Sequence, residues 1–96
     1  MVERIVRQFH PEMVILFGSH ARGDARPDSD VDLLVVLEAD GCVSEQRLDI
    51  RQALHDIPVP LDVIVTRPED FSWRKDVVGT IEWPAAREGK VLYART

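Results

Sequence analysis

Gly18-Ser19 closes the apolar run 13–17, and Asp30-Val31-Asp32 leads into a second run that reaches Leu37. These are the residues whose types and spacing suit chemistry. Glycine has no Cβ, so backbone can approach a phosphate closely there. Serine offers a hydroxyl and, at a helix start, a backbone N–H, both suited to anions. Aspartates two apart in a strand point to one face, about 7 Å from each other along the chain. Ionised carboxylates that close repel unless a cation sits between them. Donors that are all oxygen favour Mg²⁺ or Mn²⁺ over zinc. A phosphate cradle beside a carboxylate pair is a site for metal-nucleotide chemistry.

Each piece also has an ordinary reading. Gly18-Ser19 alone is a strand-end turn, and Asp30 with Asp32 is a solvated strand start. Aspartate supplies 10 of 96 residues, so Asp-x-Asp arises about once by chance in such a chain. Gly-Ser at one fixed distance before it, with ten residues between Ser19 and Asp30, is different. The joint chance is roughly two in a thousand. Asp62 adds a third acid inside the apolar run 59–65. A buried lone carboxylate is expensive and needs a partner, which a shared metal supplies. The alternative is an edge-strand aspartate facing water. Arg22 either adds a fixed positive charge for phosphate or is a solvated loop arginine. His20 lies inside the motif but reads as an exposed loop residue and stays outside the candidate set. His10 and His55 have no ligand-spaced companions, so zinc is not expected.

The elements that must position these residues alternate along the chain. Val2, Ile5, Val6 and Phe9 have helical spacing, and Pro11 ends that helix. Residues 13–17 read as a buried strand, with Ser19 as the N-cap of a short turn of helix. Residues 23–29 are loop, and 31–37 form a strand buried on both faces. Asp40-Gly41 signals a turn that includes Cys42. A helix is expected from Ser44 toward Ile57, stopped by Pro58 and Pro60. In 61–65, Leu61, Val63 and Val65 fall on one side and Asp62 and Ile64 on the other. Residues 67–70 read as a turn and 71–81 as a helix weakened by Gly79, with Trp83-Pro84 breaking or kinking it and a final helical turn expected to run to Glu88. Gly89 reads as a C-cap and 91–93 as a last strand. The fold class is α/β (α+β): a small mixed sheet of three to four strands with helices packed on it.

The 96 residues fit a single domain spanning 1–96. Hydrophobic residues make up 45% and charged ones 30%, the balance of an ordinary soluble globular chain. No export signal or membrane-length apolar run is visible. The single cysteine, Cys42, allows no internal disulfide, which fits a reducing, cytoplasmic setting. A net charge of -5 without a basic cluster disfavours nucleic acid as the main partner.

The combination resembles the minimal nucleotidyltransferase (MNT) domains of the DNA polymerase beta-like superfamily. It does so through Phe17-Gly18-Ser19-His20-Ala21-Arg22-Gly23, Ser29-Asp30-Val31-Asp32-Leu33-Leu34-Val35 and Leu61-Asp62-Val63-Ile64. The ending Arg87-Glu88-Gly89-Lys90-Val91-Leu92-Tyr93 also matches such domains, so essentially the whole chain is covered. The resemblance implies that Asp30, Asp32 and Asp62 are the catalytic and metal-holding residues for two Mg²⁺ ions. Gly18, Ser19 and Arg22 would bind the nucleotide phosphates. It further implies transfer of AMP from ATP to a hydroxyl, with a tyrosine of a HEPN-type toxin as acceptor and this chain as antitoxin. Neutralisation by occlusion without catalysis, and transfer to a small molecule, are the alternatives. Trp73, Val77, Val78, Ile81 and Trp83 are the candidate contacts for that partner or for a homo-oligomer, and the two tryptophans are expected near one helix face.

Overall fold

The computed structural model describes residues 2–38 and 42–95. Its elements are α1 (Val2–Phe9), β1 (Met13–Phe17), α2 (Ser19–Arg22), β2 (Val31–Val36), α3 (Val43–Ala53), β3 (Leu61–Thr66), α4 (Pro68–Arg74), α5 (Glu82–Glu88) and β4 (Lys90–Ala94). The strands form one sheet in the order β3-β2-β1-β4. β1 runs antiparallel to both β2 and β4, whereas β2 and β3 are parallel. The parallel pair needs a crossover, and α3 supplies it. The expected mixed sheet is thus present, with four strands. Among the described residues, no helix is long and apolar enough to cross a membrane.

The sheet has two unequal faces. Ile5 of α1 and Ile50 of α3, with Leu54 just beyond, pack on Val14, Leu33, Val35, Val63 and Val65. Ile15, Phe17 and Leu34 turn the other way, under Ala85 of α5, with Ile64 and Phe71 packed against them. β2 is covered on both sides and flanked by two strands, which is why 33–36 are all buried.

Several boundaries differ from expectation. Gly18, not Ser19, stands at the N-cap of α2, and no side chain caps that helix. α3 begins after Cys42, at Val43, and stops at Ala53 rather than Ile57. The Asp40-Gly41 turn lies outside the described residues. Residues 67–70 do not form a turn: Arg67 is the N-cap of α4 and Pro68 occupies its first turn, where a missing N–H costs nothing. The single helix expected over 71–81 is absent, because Gly79 takes φ 101° and the chain between Arg74 and Glu82 leaves helical geometry. Pro84 does not break a helix either; it lies in the first turn of α5. Trp73 and Trp83 therefore sit on different helices. Gly89 is the C-cap of α5 but takes φ -75°, not the left-handed form.

Candidate active site

β2 and β3 start at one end of the sheet, and antiparallel β1 delivers its last residue to that same end. The register pairs Asp32 with Asp62 across the parallel strands, and Phe17 with Asp32 across the antiparallel ones. Strand alternation sets Asp32 with Leu34 and Asp62 with Ile64, so both acids project from the α5 face of the sheet. Asp30 is exposed and lies just before β2. Val31 N–H donates to the Pro60 carbonyl at 2.8 Å, locking the two strand starts together.

Gly18 follows Phe17 at φ 78°, a conformation that side chains resist. A Cβ placed there would lie 2.2 Å from Asp32 Oδ2. Glycine is therefore required twice, for the turn and for the carboxylate packed against it. Its carbonyl accepts from the N–H groups of Ala21 and Arg22, both at 3.1 Å, which starts α2. Gly23 closes that helix in the left-handed form, at φ 82°.

The loop back to Asp30 is tied at its end. Ser29 N–H donates to Arg26 O, and Arg26 N–H donates to Ser29 Oγ, each at 2.9 Å. His20 Nε2 lies 3.1 Å from the Ser29 carbonyl. A carbonyl only accepts, so this nitrogen carries the proton. His20, set aside by the sequence argument, thus anchors the residue next to Asp30. Its position inside the motif was the available signal.

The charges divide unevenly. Burial first, then the Asp62 and Asp30 carboxylates, hold the Asp32 pKa above the usual aspartate value; His20 and Arg22 partly offset this. Asp62 is half-buried rather than buried, and its partner is Arg47 of α3, with Nη2 3.3 Å from Oδ1. Nothing in the spacing of 47 and 62 announced that pair. Arg22 lies beside Asp24 at 3.4 Å and Glu88 at 3.5 Å. Among the described residues, no three His, Cys, Asp or Glu side chains are gathered into a ready metal cage. Asp32 is nonetheless a carboxylate crowded by the oxygen donors of Asp62 and Asp30. That donor set suits a hard divalent cation, which would relieve the crowding.

A glycine turn packed over paired strand-start acids is the arrangement the fold builds, and comparison with known proteins names its class. Residues 1–91 match the nucleotidyltransferase domain family, and the chain belongs to it. It is a nucleotidyltransferase. A Methanocaldococcus jannaschii protein named "putative protein adenylyltransferase" is 35% identical over 81 residues, covering 83% of this chain and 76% of the relative. A second protein of that name and organism is 37% identical over 67 residues, and the chain spans 44% of its length. The crystal structure of a Sulfolobus solfataricus protein, itself titled a "putative nucleotidyltransferase", superposes with TM-score 0.67 at 25% identity, over 98% of this chain and 74% of that one. A toxin-antitoxin crystal structure with AMP-PNP shares the fold, with TM-score 0.60 at 18% identity, over 99% of this chain and 72% of that one.

Proposed function

We propose that the chain transfers AMP from ATP to a hydroxyl of a protein partner, with pyrophosphate leaving, and so acts as the antitoxin of a toxin-antitoxin pair. The observation that carries this is the in-register pairing of Asp32 and Asp62 beneath Gly18. The relatives named as protein adenylyltransferases support the choice of acceptor class. The toxin-antitoxin structure with AMP-PNP supports the choice of partner and nucleotide. The acceptor is a tyrosine of a HEPN-type toxin.

In this reading, Asp30, Asp32 and Asp62 would hold Mg²⁺. When bound, that metal lowers the pKa of the attacking hydroxyl and neutralises charge on the leaving pyrophosphate. Gly18 presents bare backbone and Ser19 its hydroxyl to the β and γ phosphates, and Arg22 swings from Glu88 to join them. Asp32 fixes its carboxylate against Gly18, so the nucleotide and the acids share one rigid wall. Asp62 takes the acceptor proton.

The test is incubation with labelled ATP, Mg²⁺ and the protein encoded by the adjacent reading frame. Label on a tyrosine of that protein is expected, and its loss with Asp30→Asn plus Asp32→Asn. No transfer by a folded sample would count against the proposal. Occlusion without catalysis is the second reading. It is favoured by Trp73 on α4 and by Val78 and Ile81 between α4 and α5, exposed at 54%, 76% and 41%. If it is correct, the double variant still neutralises.

A further inference from the structure

Two carboxylates that face each other across paired strands need compensation before any metal arrives. Asp32 is packed on the Gly18 backbone, so tightly that a single added carbon would overlap its Oδ2. Asp62 is turned to Arg47 through one contact, Nη2 to Oδ1 at 3.3 Å. Both side chains keep over two fifths of their surface in water, 44% for Arg47 and 43% for Asp62. A single, long, solvated contact differs from the bidentate fork that makes arginine-carboxylate pairs strong. It is built to exchange.

We propose that Arg47 is a resident counter-ion for Asp62, displaced when a divalent cation enters between Asp62 and Asp32. The proposal rests on the metal-holding role given above to the three aspartates. A guanidinium and a divalent cation repel each other, so they compete for the same carboxylate. Loading therefore requires Asp62 to leave Arg47 and turn to its register partner. Among the described residues no three such side chains form a ready metal cage while Asp62 is paired with Arg47. It also makes Arg47 a positioning residue, which acts through Asp62 and sets a threshold for the entering ion. A monovalent cation would trade one unit of charge for another and gain little; a divalent one gains a unit.

The experiment uses the full chain and Mn²⁺ alone, titrated by calorimetry and by electron paramagnetic resonance of the free ion. Arg47→Gln should bind Mn²⁺ about two- to fivefold more tightly than the parent, the upper end set by an exposed ion pair. Arg47→Lys should return the affinity toward the parent value. A double-mutant cycle of Arg47→Gln and Asp62→Asn, read by thermal melting, should show coupling in EDTA and none in saturating Mn²⁺. Equal or weaker Mn²⁺ binding by a folded Arg47→Gln chain overturns the proposal, as does coupling that survives Mn²⁺. Should Asp30→Asn plus Asp32→Asn bind Mn²⁺ as the parent does, the metal reading of the site fails, and the exchange with it. Parent binding that depends on those aspartates but ignores Arg47 sinks the exchange alone.

Discussion

Glu82 and Asp32 lie on the same face of the same sheet and are solvated in opposite ways. Glu82 is 4% exposed, yet its Oε2 accepts from the Thr66 hydroxyl at 2.9 Å and faces Arg74 at 3.5 Å. It has what a buried carboxylate needs, and it ties α5 to the end of β3 and to α4. Asp32 is less buried, but burial and two neighbouring acids act on it together. A satisfied carboxylate holds a fold together. A crowded one lowers stability, and such groups cluster at working sites.

The largest expected break in this comparison is catalytic. Asp30→Asn with Asp32→Asn should lower transfer by at least about 10²–10³-fold, as loss of electrostatic stabilisation at a reacting centre does. Circular dichroism should show an unchanged fold. Glu82→Gln should leave Mn²⁺ binding unaffected.

Gly18→Ala tests the close approach of the Asp32 carboxylate to the glycine turn. The new methyl must occupy a left-handed backbone position and overlap Asp32 Oδ2. A loss of about 1–3 kcal/mol in urea unfolding is expected, with weaker Mn²⁺ binding. Gly23→Ala is the control: it also meets a positive φ, 82°, in the milder left-handed form with ψ 11° against the ψ -155° of Gly18, and has nothing within 4 Å. It should cost stability and leave Mn²⁺ affinity alone.

The comparison sharpens when the two acids are neutralised singly without metal. Glu82→Gln removes the charge that Arg74 and Thr66 were placed to meet, and should destabilise by about 1–3 kcal/mol. Asp32→Asn should do the reverse and raise the melting temperature by about a few degrees at neutral pH. The sign follows from the raised pKa of Asp32. The folded chain penalises the ionised form, so the penalty is present above the folded pKa. It fades as pH falls through that pKa toward the ordinary aspartate value. The advantage of Asp32→Asn should shrink over the same window, as differential scanning calorimetry across pH would read.

The legible parts of this molecule were those that a pattern along the chain determines. α1 and β1 follow from spacing and apolar runs, and both match their expected bounds. β2 is shorter by one residue and β3 longer by one, with Asp62 and Ile64 on the expected side. The Gly18 turn was legible because glycine, serine and two aspartates at fixed distances need a common cause. The stretch from Arg67 to Pro84 was misread because proline stops a helix or starts one depending on its position, whereas the helix end at Glu88 and its C-cap at Gly89 were legible. Pro68 and Pro84 both sit in first turns. Arg47 could not be read at all, since its meeting with Asp62 depends on how α3 crosses from β2 to β3.

The smallest effect concerns Arg22, whose guanidinium sits between Asp24 and Glu88. These contacts are long and exposed, so each is worth about 0–1 kcal/mol. If Arg22 serves the triphosphate, the acids compete with ATP for it, as Arg47 competes with metal for Asp62. Glu88→Gln should then lower the KM for ATP by no more than about fivefold and leave kcat unchanged, because binding alone is eased. Arg22→Gln should raise KM and erase any benefit of Glu88→Gln in the double variant. Independent, additive effects would mean that Glu88 acts elsewhere, and that Arg22 is a surface arginine whose charge the nucleotide never meets.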